Sequence, residues 1–128
     1  MLDTSALIDL ESGPAPFRLP AVSLISAITL AELSYGVALA RDPVESARRA
    51  QAYARVRTLF TPLAFGVAEA DKYGELTALV AAAGRSPRPR RLDLMIAAVA
   101  LANRLPLFTA NPDDFAGLEQ AVEVVMTR

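Results

Sequence analysis

The 128 residues are 53% hydrophobic, carry a formal net charge of −1 and include neither histidine nor cysteine. Those two absences exclude Cys/His zinc sites, thiol nucleophiles, imidazole acid–base catalysis and any disulfide framework, leaving carboxylates, hydroxyls, lysine, arginine or an oxygen-held metal to carry chemistry. The near-neutral charge gives no global pull toward nucleic acid, so binding of that kind needs a local patch.

The length suits one domain, residues 1–128, with a real core. No apolar run approaches the roughly 18 residues of a membrane span, and no charged-then-apolar start resembles a signal peptide, so no membrane partner is expected and the cytoplasm is the expected location. Much of the apolar excess is alanine, as at Ala81–Ala83 and Ala97–Ala98. Some of it is expected to serve an interface.

Residues 1–3 read as the end of a short strand, and residues 5–11 as a short helix capped by Thr4 or Ser5. Residues 12–20, with Gly13, Pro14, Pro16 and Pro20, read as a loop. Residues 22–26 predict a second strand. Ser26 or Thr29 then caps a helix that carries Glu32 and Leu33 to about Ala40. Asp42-Pro43 is a cap followed by proline at the first helical position, opening a charged helix from Val44 to about Phe60 with Arg48, Arg49, Arg55 and Arg57 on its wet side. A weaker strand signal covers 63–65. Residues 67–83 form a helix that Gly84 ends at the position after its cap. Residues 85–91 make a basic, proline-broken loop, and Asp93 stands at or just inside the start of an almost wholly apolar helix to Asn103. Strands follow at 107–109 and 122–126. Strands alternating with helices argue for a parallel, doubly wound α/β sheet, in which ligands bind beyond the carboxyl ends of the strands. Asp3 and the 109–114 segment both fall on that edge.

Four segments set a carboxylate among apolar neighbours: Leu-Asp3-Thr-Ser-Ala, Ala-Glu32-Leu, Leu-Asp93-Leu-Met-Ile-Ala-Ala and Thr109-Ala-Asn111-Pro-Asp113-Asp114-Phe115. A carboxylate drawn into apolar surroundings is costly unless paired or bound to a metal. Several drawn together from distant points suggest a shared cation, and hard oxygen ligands suit Mg²⁺ or Mn²⁺. Each position also has a plainer reading. Asp3 suits a helix cap or Asx turn, Glu32 a capping box with Thr29, and Asp93 an acid favoured by a helix dipole. At least one of Asp113 and Asp114 reads as a solvated loop charge.

In order and spacing, Leu-Asp3-Thr-Ser-Ala-Leu, Ser-Ala-Ile-Thr-Leu-Ala-Glu32-Leu-Ser-Tyr-Gly36, Arg-Leu-Asp93-Leu-Met-Ile-Ala-Ala and Leu-Phe-Thr109-Ala-Asn-Pro-Asp-Asp114-Phe115 resemble the PIN-domain ribonucleases, and within them the VapC toxins of bacterial toxin–antitoxin pairs. The resemblance implies a three-layer α/β/α domain with a central parallel sheet. It also implies a Mg²⁺- or Mn²⁺-dependent endoribonuclease, a homodimer, and neutralisation by a VapB-like antitoxin. Asp3, Glu32 and Asp93 match the three acids of that site. Many members carry a fourth acid where this chain has Asn111, and others carry it just before the phenylalanine, which is Asp114 here. The resemblance thus makes Asp3, Glu32, Asp93 and Asp114 the catalytic set, with Asp3 and Asp93 as main metal ligands and Glu32 and Asp114 orienting water or completing a second metal position. Thr4, Ser5, Thr109 and Asn111 would fix the carboxylate rotamers. Arg85, Arg88, Arg90 and Arg91, just before Asp93, would contact RNA phosphates or the antitoxin. Family members carry a few more apolar residues before the first acid, so the first strand is expected to be short. A housekeeping PIN nuclease and a catalytically inactive PIN binding module are the alternatives. A receiver-like or dehalogenase-like phosphotransfer domain wants a lysine near the chain end, and the only lysine is Lys72.

Overall fold

The computed structural model describes residues 1–13 and 18–128, so the middle of the loop expected over 12–20 lies outside it. Five α-helices, α1 (Thr4–Ser12), α2 (Ala27–Ala38), α3 (Pro43–Leu59), α4 (Val67–Ala82) and α5 (Arg91–Ala102), alternate with four short strands, β1 (Ile25–Ser26), β2 (Pro62–Leu63), β3 (Leu107–Thr109) and β4 (Val124–Met126). Two 3-10 turns, Arg88–Arg90 and Pro112–Phe115, precede α5 and follow β3. β1 pairs with β2 and β3 with β4, all parallel.

The first residues join the two ladders. Leu2 bridges Phe108 in parallel, its N–H donates to the Leu24 carbonyl (2.7 Å), the Asp3 N–H donates to the Phe108 carbonyl (2.9 Å) and the Phe108 N–H donates to the Met1 carbonyl (2.8 Å). The expected first strand is therefore a single bridge between β1 and β3. The strand expected at 107–109 is found as such, but the other three are shorter: 22–26 contracts to 25–26, 63–65 shifts to 62–63, and 122–126 begins only at 124. Val122 is instead a buried core residue.

The helix ends follow local chemistry. Ser26 Oγ accepts from the Thr29 N–H (3.1 Å), which settles the α2 cap on Ser26. Asp42 Oδ1 accepts from the Glu45 N–H (2.9 Å), with Pro43 opening α3. At the end of α4, Gly84 adopts φ +74 while its N–H and that of Arg85 donate to the Ala81 and Val80 carbonyls, the paired bonds of a Schellman closure. The α1 cap decides between two readings of the sequence. It is Asp3, not Thr4 or Ser5, whose carboxylate accepts from the Ala6 N–H (2.7 Å).

Helix α5 lies at the centre. Leu94 and the whole run Ile96–Ala100 are buried, packed with Leu76 and Val80 of α4 and with Leu107, Phe115 and Leu118. Its alanines let neighbours approach on nearly every side. That burial holds Asp93, in the first turn of α5, on a rigid element. A second core of Leu2, Ala6, Leu7, Ile25, Val56 and Phe108 seats α1 against the sheet and α3.

Two glycines in and after α4 predict opposite outcomes. Neither would place a Cβ within 4 Å of another group. Gly84→Ala forces a β-carbon into the left-handed region and should cost about 1 kcal/mol. Gly74→Ala, mid-helix and exposed, should stabilise by about 0.5–1 kcal/mol. Urea unfolding of the two variants measures both signs.

Candidate active site

Asp3 leaves the strand layer and enters α1 almost wholly buried, 4% of the residue exposed. Burying that charge requires donors, and the local sequence supplies them. Oδ1 accepts from the Ala6 N–H (2.7 Å), Oδ2 accepts from Thr109 Oγ1 (2.6 Å), and Ser5 Oγ lies 2.9 Å from both oxygens. Ser5 Oγ in turn accepts from the Ala110 N–H (3.0 Å), and Thr109 Oγ1 accepts from the Asn111 N–H (2.9 Å). The Thr127 N–H and hydroxyl hold the Thr109 carbonyl (2.9 and 3.2 Å). Burial still pushes the Asp3 carboxyl above its ordinary range, with the Asp114 charge adding to it. The Thr109, Ala6 and Ser5 donors oppose the shift.

Glu32 projects from α2, half-buried, and accepts a hydrogen bond from the Thr4 hydroxyl. Thr29 Oγ1 lies 3.3 Å from the same hydroxyl and 3.2 Å from Ser26 Oγ, and both Ser26 and Thr29 are fully buried. This hydroxyl chain replaces the capping box expected between Thr29 and Glu32. Burial raises the Glu32 carboxyl, Thr4 lowers it, and the Asp3 charge raises it again.

Asp93 is the most perturbed acid of the group, pushed up to about 6 by burial and then by the charges of Asp114, Glu32 and Asp3, with Arg90 pulling the other way. Asp114 thus acts electrostatically on both Asp3 and Asp93. It stands in the turn pinned by the buried Phe115, beside the exposed Asp113. Asn111 is exposed and joins the network through its backbone N–H.

Acids from segments as much as 111 residues apart therefore converge, closely enough that the ionisation of Asp3, Glu32 and Asp93 is disfavoured by neighbouring carboxylates. Among the described residues no three acidic side chains close on one point as a ready-made ion cage. The donor set is nonetheless all oxygen and anionic, which suits a hard divalent cation. Mutual repulsion of this kind is what such a cation relieves.

The four arginines of 85–91 do not act as one patch. Arg90 Nη1 donates to the Asp113 and Asp114 carbonyls (2.7 and 2.8 Å). Arg85 is half-buried and its charge reaches Glu119, while Arg88 and Arg91 are exposed. A second set of arginines, expected only on a wet face, lines a cavity of about 380 Å³ between α1, α2 and α3: Arg48, Arg49 and Arg55, facing Leu7, Leu33 and Val56. Arg49 donates to the Gly36 carbonyl (2.6 Å) and pairs with Glu45, and Arg55 pairs with Glu11. The wall includes Thr4 and Glu32, so the cavity adjoins the carboxylate group. The signal for it was the 48/55 spacing, two turns of one helix face, and the signal for the buried hydroxyls was Ser26 and Thr29, six and three residues before Glu32.

Residues 1–120 match the PIN domain family. The chain belongs to the PIN-domain family. This PIN domain is 36% identical over 130 residues to Ribonuclease VapC5 of Mycobacterium tuberculosis, covering all of this chain and 93% of that protein. Among solved structures it resembles VapBC-5 of the same organism, a member of the VapBC family of toxin–antitoxin systems, at TM-score 0.78 and 33% identity over 99% of this chain and 95% of that one. VapBC-1 of nontypeable Haemophilus influenzae aligns at TM-score 0.77 and 25% identity over 98% and 96%, and a toxin–antitoxin complex from Klebsiella pneumoniae at 0.66 and 28% over 99% and 96%. The three-layer α/β/α PIN fold expected from the sequence is thereby established.

The Asp93 shift carries a sign that can be measured. Asp93 titrates near 3.8 when unfolded and near 6 when folded. The folded state holds the proton more tightly, so the stability this group contributes is complete below 3.8 and is lost as pH rises through about 6. In EDTA, the urea midpoint of Asp93→Asn relative to wild type should rise between about pH 4 and about pH 7. A flat difference means the acids do not burden one another.

Proposed function

We propose that this PIN domain, acting as a single unit over residues 1–128 in the cytoplasm, is an endoribonuclease of the VapC toxin type that cleaves RNA phosphodiester bonds with a divalent cation held by its carboxylates and is neutralised by a VapB-like antitoxin. Divalent-metal dependence is general among VapC ribonucleases of this family. The observation that carries the reading is the convergence of Asp3, Glu32, Asp93 and Asp114, with Asp93 raised to about 6, in a domain 36% identical to a protein named a ribonuclease.

Asp3 and Asp93 would hold Mg²⁺ or Mn²⁺, with Glu32 and Asp114 completing the set. A bound cation of this kind supplies an acidified water at neutral pH and offsets charge on the phosphate under attack. The residues of the chain prepare that chemistry. Thr109, Ser5 and the Ala6 N–H fix both oxygens of Asp3 and leave it a single rotamer. Thr4 orients the Glu32 carboxylate, and Asn111 steadies Thr109 through its N–H. Asp114, coupled to both Asp3 and Asp93, supports a complete acidic set despite Asn111, against an inactive binding module.

The cavity beside Glu32 supports the antitoxin half of the reading. Its walls of Leu7, Leu33 and Val56 with an arginine rim suit an amphipathic partner segment, and a partner guanidinium reaching Glu32 would neutralise the acids. Exposed Tyr35, Leu39 and Val44 near the α2–α3 connection support a homodimer.

Purified protein with structured RNA should cleave in Mg²⁺ or Mn²⁺ and stop in EDTA. Asp93→Asn should lower kcat at least a hundredfold, on the scale of losing a proton-transfer or metal-holding group. Asp114→Asn should cost far more activity than Asp113→Asn. Cleavage that survives EDTA, or Asp93→Asn at wild-type rate, overturns the nuclease reading. A strictly monomeric protein untouched by the product of any adjacent small gene overturns the toxin assignment alone.

A further inference from the structure

We infer that Arg90 is a positioning residue: its guanidinium clamps the Pro112–Phe115 turn to the start of α5 and so holds Asp114 facing Asp93. The inference rests on the nuclease reading for its purpose, but its geometry stands apart from it. Nη1 of Arg90 donates to two successive carbonyls, Asp113 (2.7 Å) and Asp114 (2.8 Å). These two carbonyls flank the acid in question; that of Asp113 also accepts from the Ala116 N–H (3.3 Å), so Arg90 adds a second donor there. Arg90 sits immediately before α5, whose buried body carries Asp93 three residues on. On the far side of the turn, the buried Phe115 fixes the backbone. Asp114 is thus held from both sides, by a hydrogen-bonded cation on one and a buried ring on the other, while its own carboxylate stays free to face the cluster.

The charge of Arg90 makes the idea sharp, because its two effects on a bound cation have opposite signs. As a positive charge near Asp93, it repels a metal, so its removal should tighten metal binding. As a clamp, it presents Asp114 to the metal, so its removal should weaken binding, by about tenfold on the scale of supporting groups around metal ligands. The clamp requires the second outcome. It also requires that the loss run through Asp114 and not add to the loss of that acid.

Mn²⁺ titration calorimetry on wild type, Arg90→Met, Asp114→Asn and the double variant tests this, with amide hydrogen exchange over residues 112–116 as the second readout. Arg90→Met should bind Mn²⁺ about tenfold more weakly, exchange faster over the turn, and resemble Asp114→Asn. The double variant should be no weaker than the weaker single one. Should Arg90→Met fail to fold, Arg90→Lys serves in its place, with the charge kept and the paired bonds weakened. Unchanged or tighter Mn²⁺ binding, or additive losses in the double variant, overturns the clamp. Wild type that binds Mn²⁺ but does not cleave RNA sinks the nuclease reading and leaves the clamp standing. If wild type binds no Mn²⁺, exchange decides: protection lost in Arg90→Met supports the clamp, and protection unchanged overturns it.

Discussion

An aspartate that is 4% exposed, at the junction of two ladders and a helix, is the constraint on which the rest of this PIN domain depends. Asp3 cannot be left there undonated, because an unsatisfied buried charge costs several kcal/mol (order of magnitude). Its partners are the first turn of α1, through the Ala6 N–H and Ser5, and the end of β3, through Thr109. Meeting that demand therefore sets the start of α1, the direction in which β3 exits, and the path of Ala110 and Asn111. The plain reading of Asp3 as a helix cap holds, and it is compatible with the proposed role as a site acid, because the cap uses one lone pair of the carboxylate.

Around Asp3 the fold keeps an electrostatic tension unresolved. Asp3, Glu32 and Asp93 are each raised by burial and by at least one neighbouring acid. Arg90 is the one cation that lowers Asp93, and its hydrogen bonds go to backbone carbonyls. A chain selected for stability alone would neutralise such a cluster. Keeping Asp93 ionisable near pH 6 on the rigid N-terminus of α5 is the arrangement expected of a functional site.

Legibility followed the range of the interaction. The α3 start was readable because Asp42-Pro43 is a local signal, and the end of α4 because only glycine enters the left-handed region without strain. The strands were less so. Two or three residues cannot show a period of two, and their limits depend on partners: Pro62–Leu63 is a strand because Ile25–Ser26 lies beside it. The α1 cap was left open between Asp3 and Thr4 or Ser5 for a related reason. Asp3, Thr4 and Ser5 are all good caps, and the choice fell to Asp3 because the Asp3 N–H is held by the Phe108 carbonyl on another strand.

By itself the sequence determined the class of chemistry, since a chain without histidine or cysteine has oxygen donors, lysine and arginine to work with. It also determined the family, since the order of Asp3, Glu32, Asp93 and the Thr109–Phe115 segment survives any folding detail. The tertiary structure alone decided that Asp114 and not Asp113 couples to the cluster, that Arg90 is drawn onto backbone carbonyls, and that Arg48, Arg49 and Arg55 face a cavity beside Glu32. It alone raised Asp93 to about 6. Each of these depends on distances between segments tens of residues apart. Coulomb energies and desolvation are functions of those distances, which residue types and spacing do not contain.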